Sequence, residues 1–172
     1  TTALPSMMDI LSRNYAYHNK AARLYELAKI YLPVDGEKLP HEPKILLLGS
    51  YGDNVDFFSV KGEIDAVLSG LRIKKARYSA VNDNPSYHPG RCAMVSIDGI
   101  DVGVIGQVHP LVAKNYGIDV DVYCAEINFT AVMGLILLDA TYTPLPKYPS
   151  VTRDLALVCD EAVTVADAET VI

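Results

Sequence analysis

The sequence predicts an α+β fold, and three stretches carry that prediction. His88 to Pro110 (HPGRCAMVSIDGIDVGVIGQVHP) alternates apolar and polar residues on both sides of Asp98-Gly99, the pattern of a β-hairpin. Lys44 to Tyr51 (KILLLGSY) is an apolar run that ends in the turn Gly52-Asp53-Asn54, as expected of a fully buried strand. Phe57, Val60, Ile64, Val67, Leu68 and Leu71 trace one helical stripe, with Lys61, Glu63 and Asp65 turned away from it.

The remaining elements follow in order. Leu4, Met7, Met8, Leu11 and Tyr15 recur at helical spacing, Thr2 is positioned to cap and Pro5 suits a first turn, so residues 3–17 should form an amphipathic helix. Its methionine stripe reads equally as core or as a partner surface. Arg23 to Leu32 ends at Pro33 and favours a strand, and a polar loop follows from Val34 to Pro43. Arg72, Lys74, Lys75 and Arg77 put four cations within six residues, either to meet RNA phosphates or to blunt an exposed sheet edge. In the hairpin, Gly99 makes a type II′ turn or, together with Asp98, a type I′ turn; either should set Ala93, Val95 and Ile97 across from valines. The two His-Pro dipeptides end the hairpin. Leu111 to Tyr116 reads as a short helix closed by Gly117, Asp121 to Ile127 as a strand, and Phe129 to Leu138 as a helix.

Three prolines within Thr141 to Pro149 mark a linker. Beyond it, Asp154 to Asp160 alternates as a strand and Thr164 caps a helix that runs to Ile172. Some twenty residues cannot bury a core of their own, so this second domain is expected to be incomplete. The N-terminus has no initiator Met or basic flank and looks cut from something longer.

Composition narrows the function. The chain of 172 residues has a net charge of −6, which argues against binding nucleic acid over its whole surface and permits only a local basic patch. Cys92, Cys124 and Cys159 are odd in number and contain no CxxC pair, which fits a reducing cytosol. No apolar run reaches the roughly 18 residues of a membrane span. His88, Cys92 and His109 would come together at the hairpin ends and resemble a zinc site; against this, no fourth ligand is apparent and turn geometry alone accounts for both histidines. Gly103 to Gly106 (GVIG) sits inside a strand and lacks the spacing of a phosphate-binding loop. No nucleophile motif is present, so the sequence offers neither an assembled catalytic site nor a cofactor site of its own.

Six blocks in order, LPSMMDILSRN (Leu4–Asn14), RLYELAKIYLP (Arg23–Pro33), DFFSVKGEIDAVL (Asp56–Leu68), the His88 to Pro110 hairpin, VYCAEINF (Val122–Phe129) and LPKYPSVTRDLALVCDE (Leu145–Glu161), together resemble the beta chain of bacterial phenylalanyl-tRNA synthetase. The resemblance implies an antiparallel sheet flanked by helices, the catalytic-like module of the class II synthetase type, over residues 1–141. It implies a Pro-rich linker over 142–149 and the start of a ferredoxin-like anticodon-binding domain over 150–172. By resemblance the whole enzyme uses ATP and magnesium, is cytoplasmic, and is a heterotetramer of two alpha and two beta chains acting on phenylalanine tRNA. Aminoacylation falls to the alpha chain. Consistent with that division, Arg23 and Glu26 have the wrong separation for an ATP-gripping strand, and the glycine strand runs into Gln107-Val108-His109 without an arginine. The implied partners are the alpha chain and the tRNA. Leu4, Met7, Met8, Leu11, Tyr15, Phe57, Val60, Ile64 and Leu68 are the expected alpha-chain contacts, and Lys147 and Arg153 the expected tRNA-facing residues.

Overall fold

The computed structural model describes residues 2–73, 76–136, 142 and 144–171. The chain divides into two compact units, residues 1–138 and 139–172. In the first unit, six strands form one sheet: β1 (Ala22–Lys29), β2 (Lys44–Tyr51), β3 (Ala76–Ala80), β4 (Tyr87–Ile97), β5 (Ile100–Val108) and β6 (Val122–Asn128). Their spatial order is β1-β2-β6-β5-β4-β3, and every neighbouring pair is antiparallel. Helices cover both faces: α1 (Leu4–Ala16) and α3 (Pro110–Asn115) one, α2 (Phe57–Gly70) and α4 (Phe129–Gly134) the other. The α+β architecture expected from the sequence is therefore present, with its antiparallel sheet flanked by helices.

The layers follow from side-chain alternation. Along β6, Val122 and Cys124 join the core under α1, while Tyr123, Ala125 and Ile127 join the core under α2. Helix α1 lies close to the sheet because Gly49 of β2 has no side chain; a Cβ there would sit 2.5 Å from Met7 Cγ. Met7, Met8 and Leu11 are accordingly buried. Ala3 occupies the cap position of α1, and Thr2 satisfies the helix start from one residue earlier, its hydroxyl accepting the Leu4 N–H at 3.1 Å. The Glu126 carboxylate of β6 accepts the Ala3 N–H at 3.1 Å and the Thr2 hydroxyl, placing negative charge at the positive end of the helix. Helix α2 begins with a capping box, in which Asp56 accepts the Ser59 N–H at 2.7 Å and Ser59 Oγ accepts the Asp56 N–H at 2.9 Å.

The hairpin turn is type I′, with Asp98 at φ 51° and Gly99 at φ 80°. The expected valine partners are not found. Ile97 pairs with Ile100 across the two-residue turn, and an irregularity in the register between Val95 and Ser96 then shifts the ladder so that Val95 pairs with Gly103 and Ala93 with Ile105. Gly103 also has a packing role: a Cβ there would lie 2.1 Å from the Glu126 carbonyl oxygen and 2.8 Å from Ile127 Cα, so β5 and β6 approach only because it is glycine.

The second unit contains α5 (Val165–Val171), capped by Thr164, whose hydroxyl accepts the Asp167 N–H at 3.2 Å while Asp167 accepts the Thr164 N–H at 2.9 Å. The strand expected over Asp154 to Asp160 is not formed, and those residues are exposed. Alternation becomes a strand only where a neighbour receives its hydrogen bonds, and no strand exists among the described residues of this unit. Lys74 and Lys75 of the basic cluster, Leu137 and Leu138 of the expected α4 helix, Thr141 and Thr143 at the domain boundary, and Ile172 lie outside the described residues.

Cys92 and Cys124 are buried, and Cys159 is exposed. Burial pushes the Cys92 thiol up to about 11, with the Asp83 charge adding to it, and burial also pushes the Cys124 thiol up, with Glu126 adding to it. Gly103→Ala should cost about 3 kcal/mol by chemical denaturation, whereas Gly62→Ala, with open space around it on α2, should stabilise by about 0.5–1 kcal/mol. A thiol reagent at neutral pH should label Cys159 alone. Because the folded state holds the Cys92 proton more tightly than the unfolded state, the stability it contributes is complete below the ordinary thiol range. That contribution should be lost as pH rises from about 9 towards 11, read as a falling melting temperature.

Candidate functional site

The hairpin residues proposed for a metal do not converge. Cys92 points into the apolar core beside Tyr87, not to an outer face shared with His109. Each histidine caps its own backbone: His88 Nδ1 accepts the Gly90 N–H at 3.1 Å, and His109 Nδ1 accepts the Leu111 N–H at 3.2 Å at the start of α3. Among the described residues no group of three or more His, Cys, Asp or Glu side chains is placed to hold a metal ion. Turn chemistry, not coordination, accounts for the two His-Pro dipeptides.

The two helical stripes expected to meet a partner are largely occupied by this chain itself. Leu4, Met7, Met8 and Leu11 are buried under the sheet, and Val60, Ile64 and Leu68 are buried over it. Tyr15 is partly covered by an edge-to-face contact with Tyr51 at 5.8 Å, and Phe57 is partly buried against the α2-side core. An apolar stripe buries one face against its own sheet first, because that contact is intramolecular and carries no association cost.

Apolar surface remains exposed elsewhere. Edge strand β1 alternates, with Leu24 and Ala28 towards α1 and Tyr25 and Leu27 on the opposite face, 80% and 50% exposed. Beside them, Leu46, Leu48, Val67 and Leu71 complete an apolar groove of about 610 Å³ between β1, β2 and α2. The signal for Tyr25 and Leu27 was present in the sequence as the positions alternating with Leu24, but strand alternation does not say which face a helix will cover.

A second cleft, of about 570 Å³, opens at the N-terminal end of α2 between Phe57, Phe58, Tyr78, Arg91 and Tyr123. Tyr78 donates to Asp65 at 2.6 Å, and burial together with that hydrogen bond raises its pKa. Lys61 lies 4.4 Å from the centre of the same ring and pairs with Asp65 at 2.7 Å.

The two positions compared with ATP-gripping residues have structural partners. Arg23 donates to Glu63 of α2 at 2.9 Å and to the Asn54 carbonyl at 3.4 Å. Gln107, buried at the end of β5, accepts from Arg91 at 2.7 Å and donates to Asp121 at 2.8 Å. Lys147 and Arg153 are exposed in the second unit. Among the described residues no helix is long and apolar enough to cross a membrane.

Comparison with known proteins gives these features a family. Residues 1–129 match the family described as phenylalanyl tRNA synthetase beta chain CLM domain. The chain is 39% identical over 173 residues to the phenylalanine–tRNA ligase beta subunit of Clostridium acetobutylicum, and 40% identical over 173 residues to that of Clostridium tetani. Each alignment covers 100% of this chain and 22% of the relative, so the chain spans about a fifth of the length of the curated relatives it matches. The fold is similar to Desulfitobacterium hafniense PylSc, a pyrrolysyl tRNA synthetase, with a TM-score of 0.61 and 12% identity over 78% of this chain and 48% of that one. That likeness agrees with a class II synthetase type of module. With residues 1–129 matched and the similarity continuing along the whole chain, the protein belongs to the phenylalanyl tRNA synthetase beta chain CLM domain family.

Proposed function

We propose that this chain is the non-catalytic scaffold module of the beta subunit of a phenylalanine–tRNA ligase, an enzyme that joins phenylalanine to its tRNA in the cytoplasm at the expense of ATP. The observation that carries this reading is family membership over residues 1–129, with 39–40% identity along the chain to two beta subunits. ATP and magnesium are then bound by the companion alpha chain, in a heterotetramer of two alpha and two beta chains. The engagement of Arg23 with Glu63 and of Gln107 with Arg91 and Asp121 supports that division, since both positions are occupied in holding the module together. Residues 142–149 are read as the linker and 150–172 as the beginning of a ferredoxin-like anticodon-binding domain, with Lys147 and Arg153 facing the tRNA.

The contact with the alpha chain is reassigned from the buried stripes to the groove beside β1. A sheet edge unpaired among the described residues and flanked by exposed Tyr25 and Leu27 suits a partner that contributes apolar side chains. Co-expression with a phenylalanine–tRNA ligase alpha chain, followed by co-purification and size measurement, tests this. Tyr25→Asp and Leu27→Asp should leave the fold intact and weaken the complex by about 2 kcal/mol each. A complex that tolerates both substitutions would place the contact elsewhere.

A further inference from the structure

We propose that the cleft at the N-terminal end of α2 binds a planar aromatic ring carrying a single negative charge, such as an aromatic carboxylate. This inference concerns a cleft apart from the groove beside β1, and of its walls only Phe57 is among the residues expected to meet the alpha chain. Three observations support it.

The first is shape. The cleft has a volume of about 570 Å³, within the range of small-molecule sites, and Ala80, Gly90 and Ala93 supply small residues along β3 and β4. Small residues between large walls leave a slot suited to a flat group. The second is the walls. Phe57, Phe58, Tyr78 and Tyr123 line the cleft, and the rings are held: Phe58 meets Phe57 edge-on at 5.6 Å, Tyr78 is fixed by Asp65 at 2.6 Å, and Tyr123 is buried. Phe58 is 75% exposed, a large apolar area left in water that an inserted ring would cover.

The third is charge. Arg91 lines the cleft, and its guanidinium is oriented from behind, with Nη1 donating to buried Gln107 at 2.7 Å and lying 3.7 Å from Asp121. Those two contacts use one nitrogen of a planar fork, a group matched to a carboxylate, and the same guanidinium also interacts with the Tyr123 hydroxyl of the cleft. Asp56 also lines the cleft, and its carboxylate caps α2. Repulsion from that carboxylate, and from Asp121 beside Arg91, acts about twice as strongly on a dianionic phosphate as on a monocarboxylate.

Binding to the whole 172-residue chain can be measured by calorimetry with phenylacetate, indole-3-acetate, neutral phenylacetamide and adenosine 5′-monophosphate as probes. One or both carboxylates should bind saturably, about tenfold tighter than phenylacetamide and than the nucleotide. Arg91→Gln should abolish the preference for carboxylate over amide, and Phe58→Ala should weaken each carboxylate that binds about tenfold. Because Arg91 also holds Gln107, the deciding test is Phe58→Ala, whose side chain is outside the core, together with the carboxylate-to-amide comparison in the unaltered chain. Absence of saturable carboxylate binding, equal binding of the amide, tighter binding of the nucleotide, or insensitivity to Phe58→Ala would each overturn the proposal.

Discussion

Strand β6 lies between β2 and β5 with apolar side chains packed on both of its faces, and the larger unit depends on that double burial. A strand in this position needs close neighbours and a helix layer on each side, since a polar surface on either face would leave apolar area in water. Gly103 permits the approach of β5, and Gly49 of β2 permits the approach of α1. Glu126 is the charged member of β6. Its carboxylate lies at the start of α1 and also accepts from the Tyr87 hydroxyl at 3.4 Å, so one side chain links the central strand, the helix above it and β4. Burial raises the Tyr87 pKa well above the ordinary phenol value, which keeps it a donor to that carboxylate.

This arrangement decides which surfaces remain for other molecules. The stripes of α1 and α2 are consumed by the sheet, so partners meet what the helices do not cover. That comprises edge strand β1 with its groove on one flank of α2, and the aromatic cleft at the N-terminal end of the same helix. The edge strand β3 is linked to α2 through Tyr78, Asp65 and Lys61, a polar contact at the other end of the sheet. Arg23 and Gln107 each hold neighbouring elements together, which supports the proposed scaffold role.

Periodicity in the sequence was enough to identify β2, α1 and α2, because a run such as KILLLGSY or a stripe such as Val60, Ile64 and Leu68 reports burial directly. The turn at Asp98-Gly99 was legible from local backbone preference, though the register beyond it was not, because the shift near Val95 depends on how β5 meets β6. The same limit applies to the sites. Spacing suggested that His88, Cys92 and His109 converge, whereas local capping by each histidine and burial of the thiol separated their roles. Phe58, next to Phe57 but off the helical stripe, acquires meaning only once Tyr78 and Arg91 are placed beside it by β3 and β4. The strand expected from Asp154 to Asp160 shows that alternation is necessary without being sufficient, since a ladder also needs a partner.

The central claim is that this module supports a reaction whose chemistry resides on another chain. Phenylalanine-dependent ATP–pyrophosphate exchange, measured with the chain alone, with a phenylalanine–tRNA ligase alpha chain alone and with the two together, tests it most directly. The account predicts no exchange by this chain alone and exchange only where the alpha chain is present. Exchange catalysed by this chain alone would contradict it, because Arg23 and Gln107 would then have to serve a nucleotide as well as the fold.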